Sequence, residues 1–241
     1  MSEPLVFLPG MMCDARLFGP QLAALSPDYT LTVAPITKGD RVEEIASGLL
    51  DTLPRKFAVA GHSMGGVVAM ELLRRAPDRI TRIALMATNA LAETPQSAAD
   101  YEPLIIKARS APLADVVPEI MPPDHLAPGP YRGEVMALLT DMAENIGASV
   151  IVRQVKALQR RRDQQAVLRR CKVPALVLCG AYDGMTPVKR HSFMAELIPY
   201  AELKVIEGAG HLPTLEQPEA TTQALLDWLK QPYVLQKRAE A

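Results

Sequence analysis

Cysteine is scarce in this chain, with three residues among 241, and no two of them form a C-x-x-C pair. The wide spacing of Cys13, Cys171 and Cys179 indicates neither a disulfide framework nor a thiolate metal site. The first apolar run ends at Pro9-Gly10, too early for a signal peptide or a membrane span. We therefore expect a cytoplasmic protein that binds no membrane.

An excess of charge of either sign is also absent, since 26 basic side chains are balanced by 27 acidic ones. Such a balance produces no large net field to attract nucleic acid or an anionic surface. Charged residues make up 22% of the chain and hydrophobic residues 49%, which is ordinary globular usage. We expect one domain with a sizeable core and a small, mostly neutral ligand, while the oligomeric state stays open.

Short runs rich in valine, isoleucine and leucine recur without alternation, a pattern typical of strands buried on both faces. Six such runs occur, at residues 5–8, 31–33, 57–60, 83–86, 175–179 and 203–206. Apolar residues with helical spacing lie between several of them, at residues 42–53, 67–75 and 219–229. This order predicts an α/β fold with a mostly parallel sheet of about six strands flanked by helices.

The alternation of strand and helix stops in the middle of the chain. Proline-rich positions occur there first, and residues 134–159 then show helical spacing. We interpret residues 91–170 as an inserted helical cap, with residues 1–90 and 171–241 forming the core. Arginines 160–162 could bind an anionic substrate, but charges near helix ends usually favour solvent, so we predict that they face solvent.

A G-x-S-x-G pattern follows the third predicted strand, and its glycines are Gly61 and Gly65 around Ser63. Strand, tight turn and helix are the context of a nucleophile elbow, where a strained turn lifts the serine hydroxyl above the sheet. Side chains two positions away would collide with neighbouring backbone, which explains both glycines. The alternative is a glycine-rich connection with an incidental serine.

Two further polar residues follow predicted strands: Asp183 comes after residues 175–179, and His211 comes after residues 203–206. Alone, the first fits an Asp-Gly turn and the second a surface histidine. The order serine, acid, histidine, each at the carboxyl end of a strand, is that of a Ser-His-Asp hydrolase. The pattern predicts Ser63 as nucleophile, His211 as general base and Asp183 as the acid that orients it.

These three motifs together resemble those of α/β-hydrolase fold proteins of the small cytoplasmic esterase type, over nearly the whole chain. The resemblance implies an α/β-hydrolase fold and hydrolysis of carboxylic esters through an acyl-enzyme, with no metal or organic cofactor. The balanced charge and the short cap favour esters of small, mostly uncharged acyl groups. The family usually begins with an antiparallel hairpin, whereas this chain enters its first strand almost at once. We therefore expect that hairpin to be shortened or absent.

The turn after the first strand departs from the family, which commonly carries His-Gly where this chain has Pro9-Gly10. The resemblance implies that the backbone amides of Met11 and Met64 form the oxyanion hole, with Met12 as the alternative to Met11. The methionine side chains are interpreted as apolar filler, because the proposed donors are backbone groups.

Three histidines lie outside the predicted triad. We interpret His62 as structural and pointing away from the nucleophile, and His191 as a solvent-facing helical residue. His125 could contact substrate from the cap.

Several functions remain open beside ester hydrolysis. Lactonase, carbon–carbon hydrolase or lyase chemistry can use the same triad, and a non-catalytic receptor can use the same pocket. Serine at position 63 argues against alkyl-halide or epoxide chemistry, which needs a carboxylate nucleophile.

Overall fold

Six parallel strands form one sheet in the order β2-β1-β3-β4-β5-β6 in the computed structural model, which describes residues 3–233. The strands are β1 (Leu5–Leu8), β2 (Leu31–Val33), β3 (Phe57–His62), β4 (Ile80–Met86), β5 (Ala175–Gly180) and β6 (Ala201–Ile206). No antiparallel hairpin precedes β1 within the described residues. The predicted α/β fold with a parallel sheet of about six strands is confirmed.

The central strands are apolar throughout because both faces of the sheet are covered. Successive side chains alternate between the faces, so Leu5 and Phe7 of β1 join one buried cluster and Val6 and Leu8 join the other. Two helical layers therefore enclose the sheet.

Twelve α-helices connect and cover the strands in the described part of the chain. They are α1 (Gly19–Leu25), α2 (Val42–Leu50), α3 (Met64–Arg75), α4 (Pro95–Ala99), α5 (Tyr101–Ser110), α6 (Leu113–Ile120), α7 (Arg132–Ile146), α8 (Ala148–Gln159), α9 (Gln165–Arg169), α10 (Val188–Leu197), α11 (Pro213–Glu216) and α12 (Pro218–Leu229). Helices α1 and α12 pack with the first cluster, and α2, α3 and α10 pack with the second.

Helices α4 to α9 all lie between β4 and β5, in a stretch we call the β4–β5 segment. Residues 134–159, predicted as one helical stretch, form two helices bent by 101°. The break is at Gly147, whose φ of +87° is readily adopted only by glycine. Within residues 3–233 no single helix has the length and apolar composition to cross a membrane, and the bent pair α7–α8 meets those criteria only as a pair.

The arginine group at the end of α8 forms ion pairs with other parts of the chain. Arg160 and Arg162 are 44% and 66% exposed, as predicted. Arg161 is only 11% exposed and pairs with Glu93 at 2.7 Å, so the prediction that it faces solvent was wrong. Its carboxylate partner, 68 positions earlier in the chain, offsets the cost of removing the guanidinium from water.

The strand order creates a crevice between β1 and β3. The chain leaves β1 towards β2 on one side and leaves β3 towards β4 on the other, so the loops after these two strands diverge at the carboxyl edge. Leu8 is paired with Gly61 at the last position of the β1–β3 ladder. The turns that follow them, one carrying Met11 and the other Ser63, are therefore neighbours.

Backbone packs directly against backbone at this crevice. A Cβ atom on Gly65 would lie 2.1 Å from the carbonyl oxygen of Leu8, and one on Gly61 would lie 2.3 Å from the carbonyl oxygen of Gly65. Atoms do not approach so closely without bonding, so a side chain at Gly65 forces α3 away from β1, and a side chain at Gly61 forces α3 away from β3.

We predict that Gly65→Ala lowers the free energy of unfolding by about 3 kcal/mol, because the new methyl group meets rigid backbone. Gly48→Ala is the matched control, since Gly48 lies exposed in α2 with nothing within 4 Å of an added Cβ. This control should gain about 0.5–1 kcal/mol from helix propensity. Urea unfolding measures both, and equal effects of the two substitutions would contradict the packing described.

Candidate active site

Ser63 occupies a strained turn between β3 and α3. Its φ of +50° and ψ of −116° lie outside the regions that residues with a side chain prefer, at a cost of about 1–3 kcal/mol. Two hydrogen bonds hold the turn: the Ser63 amide donates to the carbonyl of Met86 at 2.8 Å, and the Thr88 hydroxyl donates to the carbonyl of Ser63 at 2.8 Å. The end of β4 thus fixes the serine backbone.

The three residues predicted as a triad lie in one hydrogen-bonded line. His211 Nε2 is 3.0 Å from Ser63 Oγ, and His211 Nδ1 is 3.0 and 2.9 Å from the two carboxylate oxygens of Asp183. His211 and Asp183 are buried, whereas Ser63 is partly exposed. The structure therefore brings together side chains that are up to 148 positions apart.

The carboxylate of Asp183 accepts three more hydrogen bonds from its own loop. The amides of Met185 and Thr186 donate to Oδ1 at 2.9 and 2.8 Å, and the Thr186 hydroxyl donates to Oδ2 at 2.7 Å. Burial acts to raise the pKa of Asp183, but attraction to His211 and hydrogen bonds from His211 and Thr186 outweigh it and lower the pKa. The acid is thus held ionised and oriented.

Glu216 holds the backbone on both sides of His211, a role that was missed from the sequence. The amides of Gly210 and Leu212 donate to its two carboxylate oxygens, each at 2.9 Å. The amide of Ala127, in the β4–β5 segment, donates to the same carboxylate at 2.7 Å. An acidic residue five positions after the histidine is a weak signal, because the amides that donate to it come together only in the folded loop.

The β4–β5 segment also reaches His211 through His125. The His211 amide donates to the His125 carbonyl at 2.8 Å. The ring of His125 packs on Gly184, where an added Cβ would lie 2.3 Å from Nδ1. His125 therefore contacts the two loops that carry His211 and Asp183, and its ring is not among the side chains that line the cavity beside Ser63.

The prediction that His62 points away from the nucleophile was wrong, because its side chain lines the cavity beside Ser63. Its Nε2 donates to the carbonyl of His211 at 2.7 Å, and the two rings are 5.3 Å apart. The reason is that the ring is fully buried at the end of β3 and its N–H needs an acceptor there. Burial, together with the nearby charge of His211, lowers the pKa of His62 to about 3, so its ring is neutral.

His191 is buried in α10, so the prediction that it faces solvent was wrong. Its Nε2 accepts a hydrogen bond from the Thr88 amide at 3.0 Å, and its Nδ1 donates to the Pro187 carbonyl at 3.3 Å. These bonds join the end of β4 to the loop after Asp183, and both partners are backbone groups that a helical sequence pattern cannot reveal. Burial lowers the pKa of His191 to about 4.

Two backbone amides next to Ser63 are free to bind a ligand. Within residues 3–233 the amides of Met11 and Met64 have no hydrogen-bond acceptor in the protein. Met64 opens α3, where unpaired amides and the helix dipole favour negative charge. The amide of Met12, the alternative donor, is occupied because it donates to Gln154 Oε1 at 3.1 Å.

A small cavity of about 30 Å³ opens beside Ser63, room for about one water molecule. Its walls are mostly apolar and come from the loops after β1, β3 and β5, from the histidine loop, and from α6 and α7. The lining residues are Gly10, Met11, Met12, Cys13, His62, Ser63, Ile120, Met121, Leu139, Met185, His211 and Leu212. In the described part of the chain, no group of three or more His, Cys, Asp or Glu is placed to hold a metal ion.

Comparison with known proteins identifies the family and agrees with the fold. The sequence profile of the alpha/beta hydrolase family matches residues 5–224. The chain is 28% identical to the putative carbamate hydrolase RutD of Stutzerimonas stutzeri, covering 95% of this chain and 92% of that protein. It is 27% identical to the pimeloyl-[acyl-carrier protein] methyl ester esterase of Photobacterium profundum, covering 79% and 77%.

Two solved structures are also similar. A thermophilic esterase from Thermogutta terrifontis has a TM-score of 0.86 at 26% identity, covering 95% of this chain and 90% of that chain. The enol-lactonase from Burkholderia xenovorans LB400 has a TM-score of 0.82 at 25% identity, covering 96% and 93%.

The buried neutral histidines predict that stability falls in mild acid. Between pH 6.5 and the folded pKa of about 4, the unfolded chain binds a proton at position 191 that the native state does not, so the free energy of unfolding falls as pH decreases. His191→Gln keeps an acceptor for the Thr88 amide and cannot titrate. Its slope between pH 6 and 5 should be smaller by up to about 1.4 kcal/mol per unit.

Urea unfolding of both proteins at several pH values between 7 and 5 measures this difference. His62 titrates in the same direction and is present in both, so part of the slope persists. Equal slopes in the parent and the variant would contradict the assignment of His191 as a buried neutral acceptor.

Proposed function

Because the chain belongs to the alpha/beta hydrolase family, we propose that it is a serine hydrolase that cleaves carboxylic esters of small, mostly uncharged acyl groups through an acyl-enzyme. The observation that carries this proposal is the line from Ser63 Oγ through His211 to Asp183, which opens on an apolar cavity. The relatives named as esterases support esters as the substrate class.

In the first step, Ser63 Oγ attacks the ester carbonyl carbon while His211 Nε2 accepts the hydroxyl proton. Asp183 accepts the Nδ1–H of the same ring, which leaves the Nε2 lone pair directed at the serine 3.0 Å away. The imidazolium that forms is stabilised by the ionised carboxylate. The acid therefore acts through orientation and charge and keeps no proton itself.

The negative charge that develops on the carbonyl oxygen needs donors at the start of α3 and after β1. The free amides of Met64 and Met11 supply two, and amides fixed by the backbone need little reorganisation. Collapse of the intermediate breaks the bond to the leaving alcohol, which takes the proton from His211. Water, activated by the same ring, then attacks the acyl-enzyme and releases the carboxylic acid product.

Residues 91–170 act in this proposal as a cap over the core formed by residues 1–90 and 171–241. The support is that Ile120, Met121 and Leu139 of this segment line the cavity beside Ser63. A cavity of about 30 Å³ with mostly apolar walls favours a short acyl group without charge.

Lactone hydrolysis is the second candidate, favoured by the similarity to an enol-lactonase over 96% of this chain. The chemistry is the same except that the leaving alcohol stays tethered to the acyl group. Steady-state rates on a panel of activated esters, lactones and thioesters distinguish the two, because the preferred class shows the higher kcat/KM.

We predict that Ser63→Ala lowers kcat for p-nitrophenyl acetate by roughly 10⁴-fold or more, because the nucleophilic oxygen is lost. Ser110→Ala is the control, since that exposed hydroxyl in α5 donates only to the carbonyl of its own helix at Ile106. A fluorophosphonate should label the parent and the control at Ser63 but not the Ser63→Ala protein. Unchanged hydrolysis by the Ser63→Ala protein would refute the nucleophile assignment.

The cavity walls predict how the protein selects acyl chains. Leu139→Ala removes a side chain that lines the cavity, so kcat/KM should rise for butanoate and hexanoate relative to acetate, by roughly tenfold per accommodated pair of methylenes. Leu138→Ala is the matched control, because the neighbouring leucine packs against the core without lining the cavity. Acyl-chain profiles of p-nitrophenyl esters measure both, and an identical ranking in all three proteins would place selectivity elsewhere.

A further inference from the structure

The turn after β1 carries the amide of Met11 and is itself strained. Met12, the next residue, has a φ of +65°, a conformation that a residue with a side chain adopts only when its surroundings hold it. Inside the turn, the Cys13 amide donates to the carbonyl of Gly10 at 3.2 Å. Pro9 precedes the turn and offers neither an amide N–H nor a polar side chain to support it.

A glutamine from the β4–β5 segment supports this turn from outside. Gln154 lies in α8 and is 1% exposed. Its Oε1 accepts the amide N–H of Met12 at 3.1 Å, and its Nε2 donates to the carbonyl of Ile36 at 3.3 Å. Apart from the thiol of Cys13, it is the one side chain that hydrogen-bonds the backbone of residues 10–12 within the described chain.

The oxygen and the nitrogen of the Gln154 side-chain amide therefore both form hydrogen bonds with backbone groups near the site. Ile36 follows β2, the neighbour of β1, so the side chain ties together the loops after two adjacent strands. A buried amide that lost either partner would cost about 1–3 kcal/mol. This cost fixes the glutamine in one orientation and, through it, the plane of the peptide group that contains the Met12 amide.

We infer that Gln154 is a positioning residue for the oxyanion hole: by holding the Met12 amide it aims the adjacent amide of Met11 at the carbonyl oxygen of the substrate. The inference rests on the proposed function, since it assumes acyl transfer at Ser63. Because a donor misplaced by about 1 Å stabilises the oxyanion poorly, the effect belongs to the transition state and not to substrate binding.

The test compares Gln154→Met with Gln159→Met in the full chain. Gln159 is in the same helix and its amide donates to the Ala98 carbonyl and the Glu102 carboxylate, away from the turn after β1. Each protein is assayed with p-nitrophenyl acetate and with a small trifluoromethyl ketone, which adds to the serine as a hemiketal oxyanion. Circular dichroism shows whether each variant is folded, and endpoint labelling by a fluorophosphonate gives the fraction of molecules with a reactive serine.

For Gln154→Met we expect kcat to fall roughly 10- to 100-fold with KM changed less than about threefold, and the inhibition constant of the ketone to rise in proportion to the loss of kcat/KM. Gln159→Met should stay within about twofold of the parent in all three quantities. A folded Gln154→Met protein with parental kcat and ketone affinity overturns the inference.

Gln154→Glu keeps the test decisive if the methionine variant does not fold. It retains an acceptor for the Met12 amide and loses the donor to Ile36, whereas Gln154→Leu has no acceptor. The ketone affinity of Gln154→Glu should therefore be closer to that of the parent than the ketone affinity of Gln154→Leu. Equal losses in these two variants overturn the inference. A parent protein that neither hydrolyses the ester nor reacts with the fluorophosphonate overturns the proposed function as well, whereas an active parent with insensitive Gln154 variants overturns this inference alone.

Discussion

The close contact between the start of α3 and the end of β1 is the constraint on which the candidate site depends. Gly65 lets the helix backbone come against the Leu8 carbonyl, and this brings the serine turn beside the turn that carries Met11. The only non-glycine residues with positive φ in the described chain are Met12, Ser63 and Ala87, and they follow β1, β3 and β4 respectively. Strain is thus concentrated at one sheet edge, where hydrogen bonds from neighbouring strands and loops offset it.

The electrostatics of this edge are simple because most of its polar groups are kept neutral. His62 and His191 are buried with depressed pKa values, so neither adds positive charge near the triad. Asp183 stays ionised because its loop supplies three donors in addition to His211. The ionised carboxylate of Asp183 faces the ring of His211 directly, with its two oxygens 3.0 and 2.9 Å from Nδ1.

Sequence reasoning worked where the signal is local. Gly61 and Gly65 belong to a motif of five consecutive residues around Ser63, and the short apolar runs reflect burial on both faces of the sheet. Strand β4 begins at Ile80, three residues earlier than predicted, because Arg82 interrupts the apolar run yet is buried through its ion pair with Glu3 at 2.9 Å. Strand β6 also begins earlier than predicted, at Ala201. It is an edge strand in which apolar and polar residues alternate at the first positions, so these do not form an apolar run.

The residues that support the triad were not predictable in the same way. Gln154 is 142 positions from Met12, and His191 is 103 positions from Thr88. Each makes its hydrogen bonds to backbone groups, and any residue type at the partner position offers the same amide or carbonyl. A pattern in one sequence carries no record of such pairs. The positions of Ser63, Asp183 and His211 after their strands could therefore be predicted from the sequence, whereas most of the residues that support them could not.

The bond from the His211 amide to the His125 carbonyl has a consequence for how this architecture tolerates exchange of its parts. The β4–β5 segment joins two neighbouring strands of the sheet, so exchanging it between homologues would leave the strands themselves unchanged. Here, however, residues 125–127 bind the histidine loop and its Glu216 anchor through main-chain atoms. Exchanging the whole segment therefore also replaces main-chain groups that hold the loop of His211, whereas shorter grafts within α5 and α6 leave those groups in place.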